Sequence, residues 1–178
     1  MALKSTIYKA ELSIADMDRN YYGTHTLTLA RHPSETDERL MIRLVAFAIH
    51  ADEALVNAKG ISDTEEPDLW QMDLTGAIQL WIEVGQPDER RLLKAAGRSE
   101  KVMVYCYSSA AHVWWKQLAG KIDRAKNVSV VKIDSDASAQ LEKMAQRSMQ
   151  LQCTIQDGQI WLNDGETTVE IPREVWKA

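Results

Sequence analysis

The chain has 178 residues, 45% of them hydrophobic, and a formal net charge of −5. This length and hydrophobic content suit one folded domain, and no Pro-, Gly- or Ser-rich linker interrupts the chain, so we predict a single domain over residues 1–178. The negative charge argues against a protein that coats nucleic acid non-specifically. No window approaches the roughly 18 apolar residues of a membrane helix, and the N-terminal residues lack a signal-peptide core, so we expect a soluble, cytoplasmic protein with no membrane partner.

The first predicted elements are two antiparallel strands followed by a long helix. Alternating polar and apolar residues predict strands at Thr6–Ile14 and His25–Leu29, with a turn at Asp16–Asn20 between them. A capping pattern at Ser34 predicts a helix that extends to Ala54 or Leu55. It is the longest helix that the sequence predicts.

The helical periodicity assigns its charged residues to two faces. The outer arc, away from the apolar residues, contains Glu35, Arg39, Arg43 and Glu53. Glu38 falls among apolar residues instead, so its carboxylate is expected to face protein and to need an arginine, a backbone N–H or a metal ion as partner.

A hairpin is predicted around a turn at Thr75–Gly76. In the register that this turn implies, Asp68 lies opposite Glu83 and Trp70 opposite Trp81, with the paired Cβ atoms roughly 4.5–5.5 Å apart. Two opposed carboxylates repel each other unless they reach water, bind a proton or share a cation. A divalent metal site is the functional interpretation, and exposed acids on an edge hairpin are the alternative, since a register slip of one residue would separate the two side chains.

The rest of the chain alternates strands and helices and then closes with strands. This alternation predicts a parallel or mixed α/β layer, and two Asp-Gly turns, at Asp157–Gly158 and Asp164–Gly165, predict a closing antiparallel meander. The predicted helices are Pro87–Gly97, Ala110–Leu118 and Ala137–Arg147. The predicted strands are Val102–Tyr107, Val128–Ile133, Leu151–Ile155, Gln159–Leu162 and Thr167–Ile171.

This order of elements resembles the PD-(D/E)XK restriction-endonuclease-like core at Pro67–Asp68 and Glu83–Gly85. The resemblance implies an α/β (α+β) fold with a mixed sheet, flanked here by antiparallel strands at both ends of the chain. In that superfamily two carboxylates and a helix glutamate hold Mg²⁺, and a lysine two residues after the second acid stabilises charge. Here that position is Gly85, so a cation from the following helix would have to act in its place.

Three longer stretches resemble the bacterial YaeQ family: Arg31–Arg39, Leu80–Arg91 and Thr154–Leu162. They occur in order and span most of the chain, and the family implies a variant of the nuclease-like fold without a settled activity. The candidate metal ligands carried over are Asp68, Glu83 and Glu38, with Glu35 as an alternative helix acid. Lys94 is the candidate catalytic cation, and Arg90, Arg91 and His32 are the candidate phosphate-binding residues.

Three hypotheses follow from these residues. The first is a Mg²⁺-dependent phosphodiesterase acting on nucleic acid, with Mn²⁺ as a substitute ion. The second is a non-catalytic module of the same fold that binds a protein or nucleic-acid partner. The third is purely structural, with Glu38 and the hairpin acids neutralised by Arg39, Arg43 or Arg90.

Overall fold

The computed structural model describes residues 4–178 and consists of two compact units. One unit comprises the chain up to Ile49 together with Asp136–Pro172, and the other comprises His50–Ser135 with Arg173–Ala178. Each unit is built on one mixed β-sheet, so the fold is mixed α+β. The single domain over residues 1–178 stays a prediction, as does the nuclease-like core.

The strands are β1 (Thr6–Asp16), β2 (Tyr21–Arg31), β3 (Leu55–Asn57), β4 (Leu69–Met72), β5 (Ile78–Val84), β6 (Ser99–Cys106), β7 (Val128–Ile133), β8 (Ser148–Gln156), β9 (Gln159–Asn163), β10 (Thr168–Glu170) and β11 (Arg173–Lys177). The helices are α1 (Asp37–Ile49), α2 (Glu89–Arg98), α3 (Ala111–Leu118) and α4 (Ser135–Met144). All the strands predicted from the sequence are present, several of them longer than predicted.

The sheet of the first unit has the strand order β10-β9-β8-β1-β2. Strand β1 is antiparallel to β2 and parallel to β8, and the Asp157–Gly158 turn joins β8 to β9 as predicted. Side chains of β1 alternate between buried and exposed, with Ala10, Leu12 and Ile14 in the core. This period of two places one face of the sheet on the core and leaves the other polar.

Helix α1 is the longest helix among the described residues, but it is shorter than predicted, because the chain leaves the helix after Ile49 and later forms β3. The prediction of an outer charged face was wrong. Glu35 precedes the helix and is 4% exposed, while Arg43 is 5% exposed. The residues from Leu40 to Ala48 are all buried, so periodicity alone could not identify a solvent face.

The sheet of the second unit has the strand order β11-β7-β6-β5-β4-β3. Strands β5, β6 and β7 are parallel and are connected through α2 and α3, which confirms the predicted α/β layer. The helices pack through Leu92 and Ala95 of α2 and Leu118 of α3 onto the apolar face of these strands. The sequence analysis missed the two edge strands β3 and β11, which are short and depend on partners distant in the chain.

The β4–β5 hairpin has the predicted register next to the candidate site. Leu69 pairs with Ile82, and Trp70 pairs with Trp81 with their rings edge to face, centroids 6.0 Å apart. A bulge between Gln71 and Met72 shifts the pairing by one residue near the turn. The slip therefore lies at the far end of the hairpin and does not move the acids.

The two cysteines, Cys106 and Cys153, are free thiols and both are buried. Among residues 4–178, none of the helices combines the length and the apolar character needed to cross a bilayer.

Candidate functional site

The hairpin positions Asp68 and Glu83 in the interior of the second unit. Asp68 lies one residue before β4, where its N–H donates to the Ile82 carbonyl at 3.1 Å. Its carboxylate turns back onto β5, with Oδ2 accepting the Val84 N–H at 2.8 Å. Asp68 is 2% exposed and Glu83 3% exposed. Both carboxylates are thus buried, and the Asp68 charge is near enough to Glu83 to act on its pKa.

The chain segment before the hairpin closes over Asp68. The Ala58 N–H donates to the Asp68 carbonyl at 2.9 Å, and the Gly60 N–H donates to the Pro67 carbonyl at 2.8 Å. Gly60 has φ +52, and a Cβ there would lie 2.5 Å from Asp68 Oδ1. Glycine is required at this position, both for the left-handed backbone and for the close approach of the carboxylate. The sequence analysis missed this contact.

Glu83 uses only one of its two oxygens. Oε1 accepts the Trp81 indole N–H at 2.9 Å and the Arg91 Nε–H at 2.6 Å. Within residues 4–178, Oε2 accepts no hydrogen bond. Burial and then repulsion by the Asp68 charge raise the pKa of Glu83 to about 7, although the Arg91 guanidinium and the Trp81 hydrogen bond act in the opposite direction.

Arg91 connects this buried pair to the surface. It lies in the first turns of α2, where the N-cap residue Asp88 accepts its backbone N–H at 2.8 Å. Its Nη2 donates to the Glu66 carbonyl at 2.7 Å, and its Nη1 makes longer contacts of 3.4 Å with the carbonyls of Asp63 and Thr64. The guanidinium therefore ties the loop before the hairpin to Glu83. The structural hypothesis named Arg90 as the arginine that neutralises the hairpin acids. For Glu83 this was wrong, because the arginine that contacts it is Arg91.

A cleft of about 380 Å³ opens over the outer side of Arg91. It is lined by Thr64, Glu65, Asp88, Arg90, Arg91 and Lys94. Lys94 forms an ion pair with Glu65, and the Arg98 guanidinium donates to the Glu65 carbonyl at 2.8 Å. Arg90 is exposed, and its side chain makes no ion pair in the described part of the chain. The structure thus brings together Asp68, Glu83, Arg90, Arg91 and Lys94.

Gly85 occupies the position where the resemblance would require lysine. Its φ is +103, and its N–H donates to the Tyr105 carbonyl at 2.9 Å. A side chain on this left-handed backbone would be strained, so the chain departs from the pattern in its backbone as well as in its sequence.

The remaining candidates, Glu35, Glu38 and His32, belong to the first unit. Both oxygens of Glu35 form ion pairs, with Arg39 at 2.5 Å and with Arg43 at 3.0 Å. Glu38 is partly buried, and it accepts the Ser138 hydroxyl at 2.9 Å. His32 Nδ1 lies 2.7 Å from the Ser34 hydroxyl at the turn before α1.

The placement of Glu35, Glu38 and His32 beside the Asp68–Glu83 pair stays a prediction. Over residues 4–178, no group of three or more His, Cys, Asp or Glu side chains is arranged to hold a metal ion. A metal centre here would rest on the Asp68–Glu83 pair, which is smaller than the ligand set that the resemblance implied.

The fold and site define a class of mixed α+β proteins in which a buried Asp–Glu pair is linked by an arginine to a charged surface cleft. A family profile described as "YaeQ protein" matches residues 1–173. The chain is 48% identical to "Uncharacterized protein YaeQ" of Salmonella typhi and 46% identical to the protein of that name in Escherichia coli strain K12, each over 99% of this chain and 98% of the relative. The chain belongs to the YaeQ family.

Two solved structures are similar to this one over nearly their whole length. The crystal structure of YaeQ protein from Xanthomonas axonopodis pv. citri has a TM-score of 0.93 at 46% identity, covering 98% of this chain and 99% of that one. The crystal structure of YaeQ protein from Pseudomonas syringae has a TM-score of 0.94 at 36% identity, covering 98% of this chain and 97% of that one. The fold is therefore shared among bacterial members of the family.

Proposed function

We propose that the protein is a divalent-cation-dependent phosphodiesterase that acts on nucleic acid at Asp68 and Glu83. One observation carries this proposal: Glu83 is buried beside a second carboxylate and has an oxygen, Oε2, that accepts no hydrogen bond from the described residues. Because both donors are on Oε1, Oε2 is available to a proton or a cation, and either would relieve the repulsion between the two carboxylates.

The chemistry of the pair suits a small hard cation. Mg²⁺ is commonly held by only one or two carboxylates, with its other positions left for water and phosphate oxygens, so a third protein ligand is not required. When bound, such an ion polarises a phosphate oxygen and favours deprotonation of an attacking water. Glu83 must be ionised to serve as a ligand, so cation affinity is expected to rise as the pH passes the Glu83 pKa of about 7.

The cleft outside the pair suits a phosphodiester. Its volume of about 380 Å³ falls within the range of small-molecule sites and is suited to a nucleotide-sized group. Arg90 has an exposed guanidinium, and Lys94 has an ammonium that forms an ion pair with Glu65. Arg91 joins both features, because its Nε contacts Glu83 while its guanidinium also lines the cleft. These cations would bind substrate phosphate and orient it toward the buried acids.

Calorimetric titration of Mn²⁺ and Mg²⁺ tests the acidic site, at about pH 8 where Glu83 is mostly ionised. We expect saturable binding by the wild-type chain and none by Glu83→Gln. Glu65→Gln is the matched control, since it removes an exposed acid of the cleft and should retain cation binding. The same three proteins are then assayed for cleavage of single- and double-stranded oligonucleotides with Mn²⁺ present.

A second candidate function is a non-catalytic module that binds a nucleic-acid partner. Two features favour it: Gly85 stands where the superfamily has lysine, on a left-handed backbone that would strain any side chain, and Arg91 is already held by Glu83 and the Glu66 carbonyl. This candidate predicts oligonucleotide binding that weakens in Arg90→Gln but needs no divalent cation. Binding of that kind, without cation binding at Asp68 and Glu83, would replace the phosphodiesterase proposal.

A further inference from the structure

Strand β2 forms one edge of the five-stranded sheet, and it is unusually long for an edge. It pairs with β1 over eleven consecutive residues without a bulge, whereas strands typically have about 5–6 residues. Edge strands are normally protected by charged residues, proline, bulges or short length, because their free backbone groups pair with other strands. From Tyr21 to Ala30, β2 contains no Asp, Glu, Lys, Arg or Pro.

The direction of the β2 backbone groups follows from the neighbouring strand. The Lys9 N–H donates to the Arg147 carbonyl, so the backbone N–H and C=O groups of Lys9 are directed toward β8. The backbone groups of its neighbours Tyr8 and Ala10 are therefore directed toward β2. Their register partners on β2 therefore bond to β1, and the intervening residues of β2 point outward. The Ala30 carbonyl, which accepts Arg43 Nη2 at 3.2 Å, agrees with this assignment. The other outward-facing residues are Tyr22, Thr24, Thr26 and Thr28.

The backbone groups of these four residues have no partner among residues 4–178, in contrast to Ala30. The side chains of all four are exposed, and that of Tyr22 is 60% exposed. Four successive outward positions on one edge therefore present N–H and C=O groups ready to pair with another strand.

The four positions are symmetric about His25, which makes the edge complementary to itself. When two copies of β2 run antiparallel about a two-fold axis at His25, Tyr22 faces Thr28 and Thr24 faces Thr26 of the other copy. Aromatic with β-branched and Thr with Thr are favourable cross-strand pairs. No Asp, Glu, Lys or Arg is among the paired residues, and the two His25 residues face each other at the axis. A two-fold contact of one surface with itself also closes, so it forms dimers and not fibres.

We propose that the protein forms a homodimer in which the Tyr22–Thr28 edges of two copies pair antiparallel about His25. The two five-stranded sheets then form one continuous sheet, and the outward backbone groups of both copies become hydrogen-bonded. The proposal is independent of the chemistry at Asp68 and Glu83, which belong to the other unit.

Sedimentation equilibrium of the full chain over a range of concentrations tests the dimer. We expect a monomer–dimer equilibrium for the wild type and a monomer for Thr26→Pro, since proline removes an outward N–H. Because proline can also disturb folding, the second variant is Thr24→Asp with Thr26→Asp, which sets carboxylates opposite each other only in the dimer. Its matched control, Gln150→Asp with Gln152→Asp, adds the same charges on exposed positions of β8 and should still dimerise.

Amide hydrogen exchange identifies the surface used. The N–H groups of Thr24 and Thr26 are expected to exchange rapidly in dilute protein and to become protected as concentration rises. A wild-type chain that stays monomeric overturns the proposal. So does a dimer that survives in both edge variants, or a dimer in which these amides stay unprotected.

Discussion

Two buried glutamates, Glu35 of the first unit and Glu83 of the second, have opposite hydrogen-bonding arrangements. Glu35 is 4% exposed, and each of its oxygens contacts a different arginine. Glu83 is 3% exposed, and one oxygen receives both of its donors while the other receives none from the described residues. Glu35 therefore has the character of a structural ion pair, whereas Glu83 retains the capacity to bind a proton or a cation.

The difference arises from the backbone on which each residue sits. Arg39 and Arg43 follow Glu35 by four and eight residues, so successive turns of α1 direct both guanidinium groups to one carboxylate. Glu83 lies in a strand, where Trp81 is its neighbour on the same face and Arg91 comes from the following helix. Both donors reach it from one side, which leaves Oε2 without either of them.

The largest expected effect is on the Glu35 ion pairs. Glu35→Gln leaves the buried Arg43 and the partly buried Arg39 without their carboxylate, and breaking a buried pair costs about 3–5 kcal/mol. Urea denaturation should measure a loss of this size in the free energy of unfolding. Glu38→Gln, which alters one partly buried hydrogen bond, is the control and should cost about 1 kcal/mol. Equal losses in the two variants would mean that Glu35 is not the more important structural acid.

Glu83 should make stability depend on pH in the opposite sense to an ordinary carboxylate. In the folded state the pKa of Glu83 is about 7, whereas its ordinary value of 4.5 applies in the unfolded state. Between these two pH values the folded state therefore binds more protons than the unfolded state. The Glu83 contribution to stability is therefore greatest below pH 4.5 and is lost as the pH rises to about 7. The contribution is about 3 kcal/mol, since one pKa unit corresponds to about 1.4 kcal/mol.

Denaturation curves across this pH range, measured for the wild type and for Glu83→Gln, give the Glu83 contribution as their difference. The variant should lose this component of the pH dependence. A variant curve parallel to the wild-type curve would contradict the raised pKa of Glu83.

A smaller effect is expected where Gly60 meets Asp68. Gly60→Ala adds a Cβ that would lie 2.5 Å from Asp68 Oδ1, at a residue with φ +52. We expect a loss of about 2 kcal/mol in unfolding free energy from the contact and the left-handed backbone together. Gly76→Ala is the matched control, because its φ is +86 but nothing lies within 4 Å of the added Cβ. The control should lose about 1 kcal/mol, and a loss equal to that of Gly60→Ala would exclude a steric role for Asp68.

The smallest expected change concerns Arg91. Its charge and hydrogen bond lower the pKa of Glu83, so Arg91→Gln should move that pKa further above about 7. Carboxyl carbon chemical shifts followed by NMR through a pH titration measure the change. Arg90→Gln, which removes a neighbouring charge without a contact to Glu83, should leave the titration nearly unchanged. A downward shift in Arg91→Gln would contradict the assigned geometry.

Much of the candidate site could be predicted because it is local. The Leu69–Ile82 and Trp70–Trp81 pairs, which lie next to Asp68 and Glu83, depend on a hairpin whose strands are close in sequence, and the bulge falls beyond them. The Arg91 contact to Glu83 could not be read from the sequence, because Arg90 is adjacent and equally charged, and only the start of α2 after Asp88 orients one of them inward.

By itself the sequence determined the strands other than the edge strands β3 and β11, and also the Trp70–Trp81 register, since alternation and turn residues act over short distances. The tertiary structure decided which charged groups are buried. It placed Glu35 and Arg43 in the interior although their spacing predicted a solvent face, and it left Glu83 Oε2 without a donor from the described residues. Burial depends on what packs against each face, and those contacts join segments that are far apart in the chain.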